Sequence, residues 1–134
     1  WKNLIINYAK LETGVIDKFM PESRRGDNNR YCKSLTRYSS KVNQAESLEK
    51  IKNIFGTRYM KINVEAFARH KTVEFRQHSG TIEYQKIKNW VLFLHNLVEI
   101  SKVKIVENAT LEGLSEFNQQ EIVAFYAERT EELN

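Results

Sequence analysis

Thr72-Val73-Glu74-Phe75-Arg76-Gln77-His78-Ser79-Gly80-Thr81 is the stretch on which the reading of this chain turns. Thr72, Glu74, Arg76 and His78 alternate with Val73, Phe75 and Gln77. In an extended strand successive side chains leave opposite faces, so Glu74, Arg76 and His78 share one face and Val73, Phe75 and Gln77 share the other. Gly80 ends the strand, and Thr81 stands where it can cap a following helix. A carboxylate, a guanidinium and an imidazole on one face make an unusual group. A carboxylate can hold Mg²⁺, typically beside other carboxylates and phosphate oxygens. A guanidinium grips phosphate in bidentate fashion. Together they suit a nucleoside triphosphate site with a metal at Glu74. The same alternation equally describes a solvent-facing strand on which Glu74 and Arg76 merely pair.

Working upstream, Tyr59, Lys61 and Asn63 alternate with Met60, Ile62 and Val64, which predicts a second half-buried strand with one polar face. The connection Glu65–His70 is too long for a tight hairpin and has room for one helical turn. Val42, Ala45, Leu48, Ile51, Ile54 and Phe55 predict a helix over 41–55 stopped at Gly56. Leu4, Ile5, Tyr8, Leu11, Val15, Ile16 and Phe19 predict a first helix over 2–19, weakened at Gly14 and ended by Pro21. Downstream, Ile82, Ile87, Trp90, Val91, Leu94, Leu97 and Val98 give a helix over 82–102 a broad apolar face. Its His95 reads as a structural histidine. Asn118 with Glu121 has capping-box spacing and opens a last helix over 119–132, with Ile122, Val123 and Tyr126 inward. The expected fold is a single α+β domain over 1–134, an antiparallel sheet with helices packed on one face.

Residues 20–40 carry little periodicity and form an Arg-rich loop. Arg24, Arg25 and Arg30, with Gly26 and two asparagines, make it cationic and able to close over phosphates or a substrate carboxylate. It could also follow a nucleic-acid backbone, with Tyr31 and Tyr38 stacking on bases, or be an ordinary solvated loop. The tripeptide Arg25-Gly26-Asp27 is common by chance. The lone Cys32 excludes an internal disulfide and a Cys-based zinc site, and fits a reducing, cytoplasmic setting. Walker A, dinucleotide and HExxH motifs are absent, as is any apolar run of membrane-spanning length.

The 134 residues carry a net charge of +4 unevenly. Residues 1–80 hold 16 Lys/Arg against 8 Asp/Glu, and residues 81–134 hold 5 against 9. The basic first part suits an anionic partner.

Arg58-Tyr-Met-Lys-Ile-Asn-Val-Glu65, then Thr72 to Glu83, then Lys88-Asn-Trp90 resemble the amidoligase family. That family shows a run of the type TxEFRxHxGT leading into a helix with an early Trp, after a strand bearing a Tyr and an Asn like Tyr59 and Asn63. Pro21, Ser23, Arg24, Arg25, Tyr31 and Cys32 resemble its Arg-rich loop. The resemblance covers roughly residues 1–100, with its specific core at 58–90. It implies a partial glutamine synthetase-like, carboxylate–amine ligase architecture. Such enzymes use ATP and Mg²⁺ to phosphorylate a small-molecule carboxylate, and an amine then displaces phosphate to leave an amide. By resemblance Glu74 would bind metal, Arg76 the phosphates, and Arg24 and Arg25 would clamp phosphate or substrate. His78 stands where the pattern often has an acid, so its role is unassigned. The family's earlier half, with further carboxylates and a histidine, has no counterpart here, so the chain is expected to be the C-terminal portion of a larger domain or to be completed by a partner.

Two function classes follow. The first is an ATP- and Mg²⁺-dependent amide-forming ligase domain. The second is a basic binding protein on the same scaffold. One such case is a mobile-element inhibitor of a CRISPR-type nuclease, acting on that nuclease or its guide RNA, with metal-dependent RNA cleavage as a variant. Oligomeric state is not legible in the sequence.

Overall fold

The first helix starts as its apolar spacing dictates. In the computed structural model, which describes all residues 1–134, α1 (Lys2–Leu11) buries Leu4, Ile5, Tyr8 and Leu11. The helical path expected to residue 19 continues, but not as a regular α-helix. Glu12–Ile16 widen into a π-turn around Gly14, and Asp17–Phe19 tighten into a 3-10 turn. Glu12 and Asp17 lie on the buried side of this irregular stretch together with Val15, Ile16 and Phe19.

The long loop is tied down along its length. It carries 3-10 turns at Glu22–Arg24 and Thr36–Tyr38. Lys33 lies parallel to Met60: its N–H donates to the Tyr59 carbonyl at 2.8 Å, and Lys61 N–H donates to the Lys33 carbonyl at 2.9 Å. The helix expected over 41–55 is two helices, α2 (Ser39–Gln44) and α3 (Leu48–Phe55). Ala45 turns extended between them, and the Ser47 hydroxyl caps α3 by accepting the Lys50 N–H at 3.2 Å. Gly56 closes α3 at φ 65°, in the left-handed region that glycine enters without steric cost.

The sheet is antiparallel, as expected, but small. β1 (Ile62–Asn63) pairs with β2 (Glu74–Phe75) in the register Ile62 to Phe75 and Asn63 to Glu74. The connection holds one short helix, α4 (Ala66–His70). The flanks of both strands are extended but take other partners. The loop pairs with residues 59 and 61, and the Arg24 side chain takes carbonyls of residues 76–78. The polar face expected along 59–64 is not one. Met60, Lys61, Ile62, Asn63 and Val64 are all buried, because the loop covers the side that alternation assigned to water.

Two long helices complete the fold, α5 (Tyr84–Ser101) and α6 (Gln120–Leu133), joined through a 3-10 turn at Glu112–Glu116. α5 buries Asn89, Trp90, Phe93 and Leu97. The broad apolar face expected on α5 is split by this choice. Ile82 is 98% exposed, Ile87 and Val91 face solvent, and so does His95, which is therefore not a core histidine. Thr81 caps nothing; its hydroxyl accepts the Glu83 N–H at 3.1 Å in a local turn. The Asn118 capping box also does not form, since Asn118 accepts from Asn96 and donates to the Leu114 carbonyl. Ile122, Val123 and Tyr126 do point inward. The core is aromatic where α5, α6 and the 3-10 turn at 17–19 meet. Phe19 stacks on Tyr126 with centroids 4.0 Å apart, and Phe93 meets Phe19 edge-on at 5.9 Å. Such pairs add about 0.5–1.5 kcal/mol each beyond the area they bury. The fold is thus α+β with helix dominant. No helix is long and apolar enough to cross a membrane.

Candidate functional site

β2 delivers Glu74 and Arg76 to the surface as neighbours. Glu74 Oε2 accepts from Arg76 Nη1 at 2.9 Å and from Asn63 Nδ2, across the ladder, at 3.0 Å. The Asn63 amide, with Arg76 beside it, holds the Glu74 carboxyl below the usual carboxylate range against a smaller opposing effect of burial. Glu74 therefore carries full charge at neutral pH. Arg76 Nε donates to the Tyr31 carbonyl at 3.0 Å, and its guanidinium lies 5.4 Å from the centroid of Tyr59. Its other terminal nitrogen has no protein partner, and neither has Glu74 Oε1. The site is a fixed guanidinium–carboxylate edge with one terminal nitrogen and one carboxylate oxygen unpartnered.

His78 goes elsewhere. Its ring lies 5.2 Å from Trp90, and Nδ1 stands 2.6 Å from the Ser79 carbonyl, which fits an Nδ1–H donor. Burial lowers its pKa below the ordinary histidine value, outweighing that hydrogen bond, and Arg129 and Lys86 act in the same sense. The imidazole is neutral at pH 7 and packs as an aromatic. A histidine whose folded pKa is depressed stabilises the fold above its unfolded pKa, about 6.5, and loses that contribution as pH falls through it. Melting temperature is therefore expected to drop between pH 7 and pH 5. His78→Gln is expected to flatten that part of the curve, as thermal melts across the range would record.

The two clamp arginines are already engaged. Arg24 Nε donates to the Gln77 carbonyl at 2.8 Å and its Nη2 to the carbonyls of Arg76 and His78, so it pins the backbone that carries the site. Arg25 donates to the Met20 and Leu133 carbonyls and to Asn134 Oδ1, so it holds the C-terminus of α6. Of Arg24, Arg25 and Arg30 only Arg30 is outward, lying 4.6 Å from the Tyr31 ring centroid. Cys32 is buried, and burial pushes its thiol pKa up despite Arg24 and Lys61, the opposite of what a nucleophile needs.

Beneath the site runs a buried polar network that alternation alone did not reveal. The Tyr8 hydroxyl donates to Gln77 Oε1 at 2.7 Å, and Gln77 Nε2 donates to Asp17 Oδ1 at 2.6 Å. Asp17 Oδ2 accepts the Gly26 N–H at 3.0 Å. Lys61 Nζ lies 3.2 Å from Glu12 Oε1 with both side chains fully buried, and donates to the Gly26 and Cys32 carbonyls. Glu12 Oε2 accepts the Leu35 N–H at 2.9 Å. First helix, loop and strand are bolted together under Arg76. The available signal was Tyr8, Glu12 and Asp17 recurring on the apolar side of the first helix.

No three His, Cys, Asp or Glu side chains gather as a metal cage. Glu74 is a single carboxylate, with one oxygen taken. That composition does not fit a resident metal ion. It does fit Mg²⁺ arriving with a nucleotide, which uses one or two carboxylates and completes its shell from phosphate oxygens and water. Five surface hollows are lined by other residues, and the Glu74 side chain is half exposed.

Among known proteins, a family model described as "Putative amidoligase enzyme" matches residues 2–98. No curated protein and no solved structure matches the chain. The matched span runs from the start of α1 through most of α5 and takes in the loop, both strands and the network beneath them. With nearly three-quarters of its length under that model, the chain belongs to the amidoligase family.

Proposed function

We propose that the Glu74–Arg76 edge handles the phosphates of Mg²⁺–ATP in a carboxylate–amine ligase reaction. One observation carries the reading: a fully charged carboxylate and a fixed guanidinium, each with one free polar atom, sit side by side on the strand that gives the family its most specific run. Membership of the family supports the reaction class, and a glutamine synthetase-like relation of the small sheet is part of the proposal.

ATP with Mg²⁺ would supply the activated phosphoryl group that turns a carboxylate into an acyl phosphate. The chain's own residues bind and orient. Arg76 neutralises phosphate charge through its free terminal nitrogen. Glu74 Oε1 offers one metal ligand, while Asn63 and Arg76 keep Oε2 occupied and the carboxylate plane fixed. Arg24 keeps the backbone of residues 76–78 in place from behind. The attacking amine needs no protein nucleophile, in keeping with buried Cys32 and neutral His78.

The test is phosphate release from ATP and Mg²⁺ with a panel of small carboxylates and ammonium or primary amines. Release is expected only when carboxylate and amine are both present. Release independent of both would mark a simple ATPase and count against ligation. Because Glu74 stands alone, Mn²⁺ without nucleotide is expected to show no binding.

A further inference from the structure

Next to the phosphate-handling edge lies a row of side chains that the ligase reading does not use. Arg30 lies 4.6 Å from the Tyr31 centroid, Tyr31 meets Tyr59 edge-on at 5.3 Å, and Arg58 lies 5.1 Å from the Tyr59 centroid. Arg76 reaches the same Tyr59 ring. The row comes from two distant chain segments, the loop and the residues before β1, joined where Lys33 pairs with Met60. Tyr31 is 43% exposed, and Arg30 and Arg58 are exposed as well. Of the two carboxylates that act on Arg58, Glu74 is already paired to Arg76 and the other is Glu65. Arg58 Nη2 donates to the Tyr59 hydroxyl at 3.2 Å, and this bond, with the nearby guanidinium charges, lowers the Tyr59 pKa.

We propose that this row binds single-stranded nucleic acid, bases stacking on Tyr31 and the guanidinium planes, phosphates held by Arg30 and Arg58. Three features favour this ligand. Two neighbouring tyrosine rings flanked by guanidinium groups offer stacking faces for bases with phosphate partners beside them. Arg30, Tyr31 and Arg58 stand exposed and line none of five surface hollows, whereas a lone nucleotide is usually held in a concavity. The row also lies in the basic part of the chain, residues 1–80, which raises the local concentration of a polyanion. The inference does not rest on the ligase reading and needs neither ATP nor Mg²⁺.

The experiment is fluorescence anisotropy of the full chain with a labelled ten-nucleotide oligouridine, without ATP or Mg²⁺, at two salt concentrations. Binding is expected at low salt and is expected to weaken steeply as salt rises. Tyr31→Ala is expected to weaken it about tenfold, the loss of one base stack. Arg30→Ala with Arg58→Ala is expected to flatten the salt dependence, each lost phosphate contact removing about 0.7 from the slope for a single strand. Both variants alter exposed side chains, and unchanged circular dichroism and melting would show that they fold. Lys50→Ala, away from the row on α3, is expected to bind as the parent does. No binding at low salt would overturn the proposal. So would a Tyr31→Ala protein that binds unchanged, since the contact would then be charge alone. Free ATP displacing the oligonucleotide at equal nucleotide concentration would overturn it in favour of a mononucleotide site.

Discussion

Replacing Lys61 with Met is expected to destabilise the protein by about 3–5 kcal/mol, the loss seen when one partner of a buried ion pair is removed. Lys61 and Glu12 are both fully buried and 3.2 Å apart. The variant would leave the Glu12 carboxylate in the interior without its cation. It would also strip the donor from the Gly26 and Cys32 carbonyls, which lie in the loop that the ammonium holds. Small domains have only about 5–15 kcal/mol in total, so the loss is a large share. A lower midpoint in urea with an unchanged slope would register it. Glu12→Gln added to Lys61→Met is expected to recover part of the loss. The amide oxygen can still accept the Leu35 N–H now bonded to Glu12, and no buried charge remains. A single variant as stable as the parent would mean that Lys61 reaches water and that the loop is not fastened through it.

Arg76→Ala is expected to lower Mg²⁺–ATP-dependent phosphate release about 10²–10³-fold, the usual cost of removing one preorganised donor aimed at developing charge. Arg76 sits above the fold's interior, with its side chain 21% exposed, so its loss should act on the site more than on stability. The variant frees Glu74 Oε2 of one of two donors and removes the contacts to Tyr31 and Tyr59. Arg76→Lys is expected to recover little, because an ammonium cannot bond Glu74, the Tyr31 carbonyl and a phosphate in one plane. Single-turnover and steady-state phosphate release would check both variants beside a urea melt. An Arg76→Ala protein within a few-fold of the parent would remove Arg76 from the proposed reaction.

The sequence made the helices legible where apolar spacing was unambiguous and missed where local polar chemistry overrode it. Leu4 to Phe19 showed the right buried face, but not the π-turn that carries Glu12 and Asp17 inward. Alternation over 72–78 gave the correct inward set, Val73, Phe75 and Gln77, and set Glu74 beside Arg76. The same rule failed over 59–64, since a strand covered on both sides buries its polar residues too, provided each finds a partner; Lys61 found Glu12. The apolar residues of α5 exceed what its neighbours can cover, so spacing could not say that Phe93 would be inside and Val91 outside. For the site, residue type was readable and engagement was not. Arg24, Arg25 and Arg30 look alike in sequence, yet the first two serve backbone carbonyls and only the third faces solvent. Long-range pairing decided that, and no local pattern records it.

Isothermal calorimetry of the chain with a non-hydrolysable ATP analogue, with and without Mg²⁺, is the most direct test of the role proposed for the Glu74–Arg76 edge. Binding is expected to require Mg²⁺, to survive Tyr31→Ala and to disappear in Arg76→Ala and Glu74→Gln. Binding that persists in both of those last variants would place the nucleotide elsewhere on the molecule and remove Glu74 and Arg76 from its site.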